Sequence, residues 1–205
     1  SVNIIHTINI DDTQAPVVAG TLTAATVEGC NAAAAPAAVT TVAALEALPG
    51  GITITDVCTA DAALTVSSSS VANGTCPIVI TRTYTVTDVC GNSVNIIHTI
   101  NVDDTQAPAV AGVLTPLTVE GCNVAAAPAA VTTVAALEAL TGGITITDAC
   151  TADALLTVTH SDAATSSCPI VVTRTYPITD ASNNTATITK TITVGDKKAQ
   201  GITGT

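Results

Sequence analysis

Tryptophan, phenylalanine and methionine are absent from this sequence, and Tyr84 and Tyr176 are its only aromatic residues. That removes the flat ring platforms on which sugars and bases stack. It also leaves any core to Val, Ile, Leu and Ala, of which a fully buried Val, Leu or Ile contributes about 1.5–3 kcal/mol. Basic residues are nearly as scarce. Five Lys+Arg stand against sixteen Asp+Glu, a formal charge of −11. Nucleic acid needs a basic footprint, and anionic lipid attracts one, so neither partner is expected. No apolar run is long enough to span a bilayer, and direct membrane insertion is not expected either. A signal-peptide pattern is also missing, which says nothing against secretion.

What is present is repetition. SVNIIHTINIDDTQAP from Ser1 returns as SVNIIHTINVDDTQAP from Ser93, an offset of 92 residues. The sequence between those copies recurs once more before the chain ends. A period of this length is too long for a solenoid coil and suits independently folded beads of immunoglobulin-like size. The expected organisation is the last strand of a preceding repeat over 1–12, a first repeat over 13–104, a second over 105–196, and a tail or linker over 197–205.

Within the first repeat, alternation predicts strands over 21–28, 51–56, 63–71, 77–88 and 92–103. Residues 36–48, PAAVTTVAALEAL, place Val39, Val42, Leu45 and Leu48 at helical spacing, with Pro36 at the start and Gly50-Gly51 at the stop. The expected fold class is therefore all-β: tandem immunoglobulin-like β-sandwich domains, each with a short helical insert between its first two strands. In the last two strands Ile78, Ile80, Arg82, Tyr84 and Val86 share one face, as do Val94, Ile96, His98, Ile100 and Val102. A turn centred on Cys90 pairs Tyr84 with Ile96 and Arg82 with His98. Arg82 then points inward, its head reaching an edge or a carboxylate such as Glu28. In the second repeat Arg174 faces Lys190, and two adjacent cations need a nearby anion or water. His6 takes the His98 position in the first copy.

Seven cysteines are spaced as Cys30, Cys58, Cys76 and Cys90, then Cys122, Cys150 and Cys168; Ser182 stands where an eighth would fall. Four per repeat allow three pairings. Antiparallel topology puts Cys30 and Cys76 at one end, and Cys58 and Cys90 at the other. Disulfide Cα separations of about 4.4–6.8 Å forbid end-to-end bridges. The expected bonds are Cys30–Cys76, Cys58–Cys90 and Cys122–Cys168, with Cys150 a free thiol facing Ser182. Zinc is disfavoured because the spacing lacks CxxC pairs. Disulfides imply an extracytoplasmic setting.

The same topology gathers acids at one end of each repeat: Asp11, Asp12, Asp56 and Asp88 with Asn92, then Asp103, Asp104, Asp148 and Asp180 with Asn184. Hard cations take six to eight oxygens from loop clusters of this kind, so calcium is the one cofactor to expect. Asp and Asn also serve as plain turn residues. A glycosidase pair is disfavoured for want of an aromatic platform. Asn73-Gly74-Thr75 and Asn183-Asn184-Thr185 fit the N-glycosylation pattern.

The stretch TRTYTVTDVCGNSVNIIHTINVDDTQAP, with its weaker copy TRTYPITDASNNTATITKTITVGD, resembles the hyalin-repeat (HYR-like) immunoglobulin-type domains. VEGCN and TDxC are similar to the four-cysteine version in giant surface proteins of Bacteroidetes, including gliding-motility adhesins. The likeness is strongest over the last third of each repeat. The Ala-rich segment and the replacement of Cys90 and Gly91 by Ser182 and Asn183 depart from it. The resemblance implies an extracellular, cell-surface stalk or adhesin with no catalytic residues. Its partners would be neighbouring repeats, or other copies in a filament. The alternatives are a module binding glycan, ice or protein, and an accessory repeat of a secreted hydrolase. A further possibility is that strand 1–10 completes a neighbouring chain's sheet.

Overall fold

The computed structural model describes residues 2–196; the expected tail over 197–205 lies outside the described residues. The chain divides into two compact units, Ser1–Asp103 and Asp104–Thr205. Strands hold 39% of the residues against 10% in helices, so the chain is mostly β.

The first unit runs β1 (Val17–Ala19), β2 (Ala25–Glu28), α1 (Val42–Glu46), β3 (Thr53–Thr55), β4 (Thr65–Asn73), β5 (Ile78–Thr87) and β6 (Ser93–Asp103). Its main sheet has the order β2-β6-β5-β4, and β1 pairs with β3 in a separate two-stranded sheet. All pairings are antiparallel except β2 on β6, which is parallel. The β5–β6 register sets Tyr84 against Ile96 and Arg82 against His98, as the alternation predicts. β1 was not expected. Its VVA triplet, bounded by Pro16 and Gly20, is too short to display a period. It also makes the helix an insert between the second and third strands. The expected strand over 21–28 is helped by neither Leu22 nor Thr23 and begins only at Ala25.

The helix is shorter than its apolar spacing suggests, five residues in place of 36–48. The reason is the cap. The Thr41 hydroxyl accepts the Ala44 amide at 3.2 Å, fixing the start there, and Thr41 itself stays extended. One side chain ties the helix to the sheets: Glu46 Oε1 accepts the Ile54 amide of β3 at 2.7 Å.

The second unit repeats this plan as β7 (Ala109–Ala111), β8 (Leu117–Glu120), α2 (Val134–Glu138), β9 (Thr145–Thr147), β10 (Thr157–Val158), β11 (Ser161–Ala164), β12 (Ile170–Thr179) and β13 (Thr185–Gly195). Each strand and α-helix begins 92 residues after its counterpart, and β4 is answered by the two pieces β10 and β11. Pro177 of β12 explains the break. It stands where β5 has Thr85 and cannot donate to the facing strand, so only its carbonyl is used, by the Thr159 amide at 3.0 Å.

Alternation fills the core. In the first unit Val42, Leu45, Ile52, Ile54, Leu64, Tyr84, Val86 and Ile96 form one buried cluster. Ile80, Ile100 and Val102 form another. The cross-strand pair Arg82 and His98, 8% and 6% exposed, divides the two. Arg174 and Lys190 divide the second unit's core in the same way. Residues 2–10 form no strand, and Val2, Ile4, Ile5, Ile8 and Ile10 are all exposed.

Gly50 and Gly51 both have positive φ, +131° and +65°. A Cβ on Gly50 would collide with the Thr21 carbonyl oxygen, whereas one on Gly51 meets nothing within 4 Å. Gly51→Ala is therefore expected to cost about 1–2 kcal/mol from backbone strain alone. Gly50→Ala should cost more, above about 3 kcal/mol. Urea unfolding of the two variants measures the difference.

Candidate functional site

Three carboxylates converge at one end of the first unit. Asp12 arrives on the segment before β1, Asp56 follows β3, and Asp88 opens the β5–β6 turn. One carboxylate oxygen from each lies within 4.8 Å of the others. Backbone amides hold all three. Asp12 Oδ1 accepts from Gln14 at 3.0 Å. Asp56 Oδ1 accepts from Cys58 and Thr59 at 2.9 and 2.7 Å. Asp88 Oδ1 accepts from Cys90 and Asn92 at 2.9 and 2.8 Å. The Asn92 side chain then bridges, donating to Asp88 Oδ2 at 2.8 Å and to the Asp12 carbonyl at 3.0 Å. Asp12 Oδ2 is closed off from solvent and accepts no hydrogen bond.

The second unit rebuilds this arrangement from Asp104, Asp148 and Asp180, again within 4.8 Å of one another. Gln106 donates to Asp104, Cys150 and Thr151 to Asp148, and Ser182 and Asn184 to Asp180. Asn184 bridges to the Asp104 carbonyl at 2.9 Å, as Asn92 does to Asp12. Asn183, at φ 72°, takes the turn position that Gly91 fills at φ +94°. Asn tolerates that region, so the turn survives the exchange.

Of the eight acids expected here, Asp11 and Asp103 stand outside the clusters. Asp11 is exposed. Asp103 ends β6 at the opposite end of the unit, where it accepts the Cys76 thiol at 3.3 Å. Adjacent acids point to opposite sides of an extended chain, so only one of each Asp-Asp pair can face the site. Sequence reasoning missed Thr59 and Thr151, both 3% exposed beside the clusters. The repeated TDxCT pattern was the available signal.

The clusters put like charges side by side with no basic residue among them. Arg82, the nearest base in sequence to Asp88, is six residues away along β5, about 20 Å at strand rise. Burial pushes the Asp88 carboxyl up. Hydrogen bonds from the Asn92 side chain and from the Asn92, Cys90 and Gly91 amides outweigh it and hold the group below the usual aspartate range. The Cys58 thiol is pushed up, first by the Asp12 charge and then by burial and Asp56.

The cysteines depart from expectation. Cys30 and Cys150 are each disulfide-bonded. Cys58, Cys90, Cys122 and Cys168 carry thiols, as does Cys76. The expected Cys30–Cys76, Cys58–Cys90 and Cys122–Cys168 bonds are therefore not formed, and Cys150 is not a free thiol. Topology left two cysteines at each end of a repeat and so selected these pairs, but shared position at one end does not ensure that they bond.

The buried cations of the second repeat were expected to need a nearby anion or water. In the second unit the anion is Asp162, which accepts from Arg174 Nε and Nη2 at 2.7 and 2.8 Å. This fork lowers Asp162 and raises Arg174 from their ordinary values. In the first unit Arg82 Nε meets only a hydroxyl, Ser70 Oγ at 3.2 Å. Its neighbour is His98, whose ring nitrogens are buried without hydrogen bonds. Open depressions of about 300 and 320 Å³ lie beside α1 and α2. Their linings carry Asp61 in the first, Glu138 and Asp153 in the second, and no histidine or cysteine. Compared with known proteins, the chain matches no family model and no curated sequence.

Burial first, and the Arg82 charge second, lower the His98 pKa from its ordinary 6.5. The unfolded chain then binds a proton that the folded chain refuses. Stability is highest above the unfolded value and falls as pH drops from there toward the folded one. Histidine NMR titration should find His98 below its ordinary 6.5. His98→Gln should flatten the fall in melting temperature between pH 7 and 5.5.

Proposed function

We propose that this chain is a non-catalytic spacer: tandem immunoglobulin-like beads of the HYR-like kind, forming part of the stalk of a long extracellular, cell-surface adhesin or filament. One observation carries the reading. The two units reproduce each other element by element at a constant 92-residue offset, down to the Thr41 and Thr133 caps and the Glu46 and Glu138 clips. Selection for reach favours such copying, because length is added by adding beads. Thr41, Thr133, Glu46, Glu138, Asn92 and Asn184 are engaged in caps, clips and turns. Binding of glycan or ice and service in a secreted hydrolase draw no comparable support from any cluster of side chains. In this reading the partners are neighbouring repeats and other copies in a filament.

Calcium is the ion we assign to the carboxylate trios. The support is Asp12 Oδ2, a buried acceptor with no donor, set among two further carboxylates with no base beside them. A hard divalent cation supplies what that oxygen lacks, and amide-anchored carboxylates present ligands without rearrangement. Residues contributing would be Asp12, Asp56 and Asp88, then Asp104, Asp148 and Asp180. The ion would fasten the segment entering each bead to the β5–β6 or β12–β13 turn.

Two outcomes are expected. Residues 105–196 expressed alone should unfold in a single cooperative transition and remain monomeric on sedimentation; an unfolded fragment would end the bead reading. Millimolar calcium should raise the melting temperature of the whole chain, and Asp56→Asn with Asp148→Asn should abolish the rise. An unchanged melting curve would leave the acids as turn residues only.

A further inference from the structure

One row of side chains crosses the main sheet of each unit and is filled differently in the two. In the second unit it reads Asp162, Arg174, Lys190. In the first it reads Ser70, Arg82, His98, each 92 residues before its counterpart. Arg174 engages its whole guanidinium. Nε and Nη2 donate to the two Asp162 oxygens at 2.7 and 2.8 Å, and Nη1 to the Pro128 carbonyl at 2.8 Å. Arg82 is set almost as deep, 8% exposed against 5%. Its hydrogen bond runs from Nε to Ser70 Oγ at 3.2 Å, and among the described residues it makes no ion pair. A buried charge is costly unless an opposite charge meets it. The flanking strand brings none, since His98 on β6 carries ring nitrogens that are themselves buried without hydrogen bonds.

The position of Ser70 supplies both the approach and the second contact. β4 is the outermost strand of its sheet and Ser70 is exposed. At the equivalent place the Asp162 side chain keeps 29% of its surface, so this point of the row is open to solvent. Serine in place of aspartate removes the carboxyl carbon and one oxygen but keeps a hydroxyl. That hydroxyl accepts from Arg82 Nε and has its own proton to donate. A carboxylate arriving at the edge can accept the Ser70 hydroxyl on one oxygen and Arg82 Nη2 on the other. Two-point recognition of a planar anion is what a guanidinium is shaped for.

We infer that Ser70 and Arg82 form a binding site for a small carboxylate ion, which takes in the first unit the place that the Asp162 carboxylate holds in the second. The chain's formal charge of −11 repels anions at a distance, so recognition is by contact and the ligand is a compact monoanion of the formate or acetate kind rather than a polyanion. The site is separate from the carboxylate trios and does not depend on the stalk reading.

The test titrates sodium formate, and separately sodium chloride, into the nitrogen-15-labelled full chain and follows the Arg82 Nε–H and Ser70 amide signals by NMR. Expected is a saturable movement of both signals, half complete at millimolar formate. Chloride, a point charge that cannot span the two donors, should bind about fivefold more weakly. Ser70→Asp copies the second unit and should weaken the response about tenfold, because the fork is then filled from within. If that variant loses its amide dispersion, Ser70→Ala takes its place, with the hydroxyl half of the contact gone and binding weakened. Asp162→Ser is the reverse exchange and should give Arg174 Nε–H a formate response that the wild-type chain lacks; if it fails to fold, the wild-type and position-70 titrations decide. Shifts that climb without saturating, or that saturate equally after substitution of Ser70, are screening by salt and overturn the site. Absence of any shift overturns it too, leaving water to serve the guanidinium. Equal affinity for chloride, or a folded Asp162→Ser chain that does not respond, overturns the carboxylate assignment.

Discussion

The pairing of β5 with β6 is the constraint on which the first unit depends, and β12 with β13 plays the same part in the second. Each hairpin joins ten consecutive residue pairs. Strict alternation along both strands sends one row of side chains inward, and a slip by one residue would turn the whole row to water. The hairpin also sets the other strands in place. β4 pairs along its free edge and β2 along the far edge of β6. Its turn presents Asp88 and Asn92, and Asn92 reaches back to the Asp12 carbonyl. Core and carboxylate cluster are therefore consequences of one register.

That register carries an energetic difficulty, since it buries Arg82 beside His98 in a face otherwise aliphatic. Burying a charge is costly unless it is paired. The two units meet the difficulty differently. The first keeps its second member a histidine disposed to stay neutral, and offers the arginine a serine hydroxyl. The second has a permanent cation, Lys190, and brings in Asp162 with it. The changes Ser70 to Asp162 and His98 to Lys190 thus compensate in charge, which is why one backbone plan accommodates both.

The sequence made the hairpin legible because a period of two over ten residues, closed by a turn, admits one register. The joint placement of Asp56 and Asp88 followed from the same topology. Shorter signals failed for physical reasons. β1 is three residues long. The helix start was decided by one hydroxyl, on Thr41, against an apolar pattern that ran further back. The choice between Asp11 and Asp12, and between Asp103 and Asp104, turned on backbone direction at a junction with no period. End position selected cysteine pairs that the structure does not form, because shared position at one end does not by itself bring two sulfurs into bonding geometry.

Native-state hydrogen exchange on the intact chain tests the dependence on the hairpins most directly. The slowest amides should lie in β5, β6, β12 and β13, exchanging only through opening of the whole unit. Amides of β1, β3 and residues 2–10 should exchange much faster. If the hairpin amides exchange as fast as those of β1 and β3, the bead is not held together by its hairpin and the account fails.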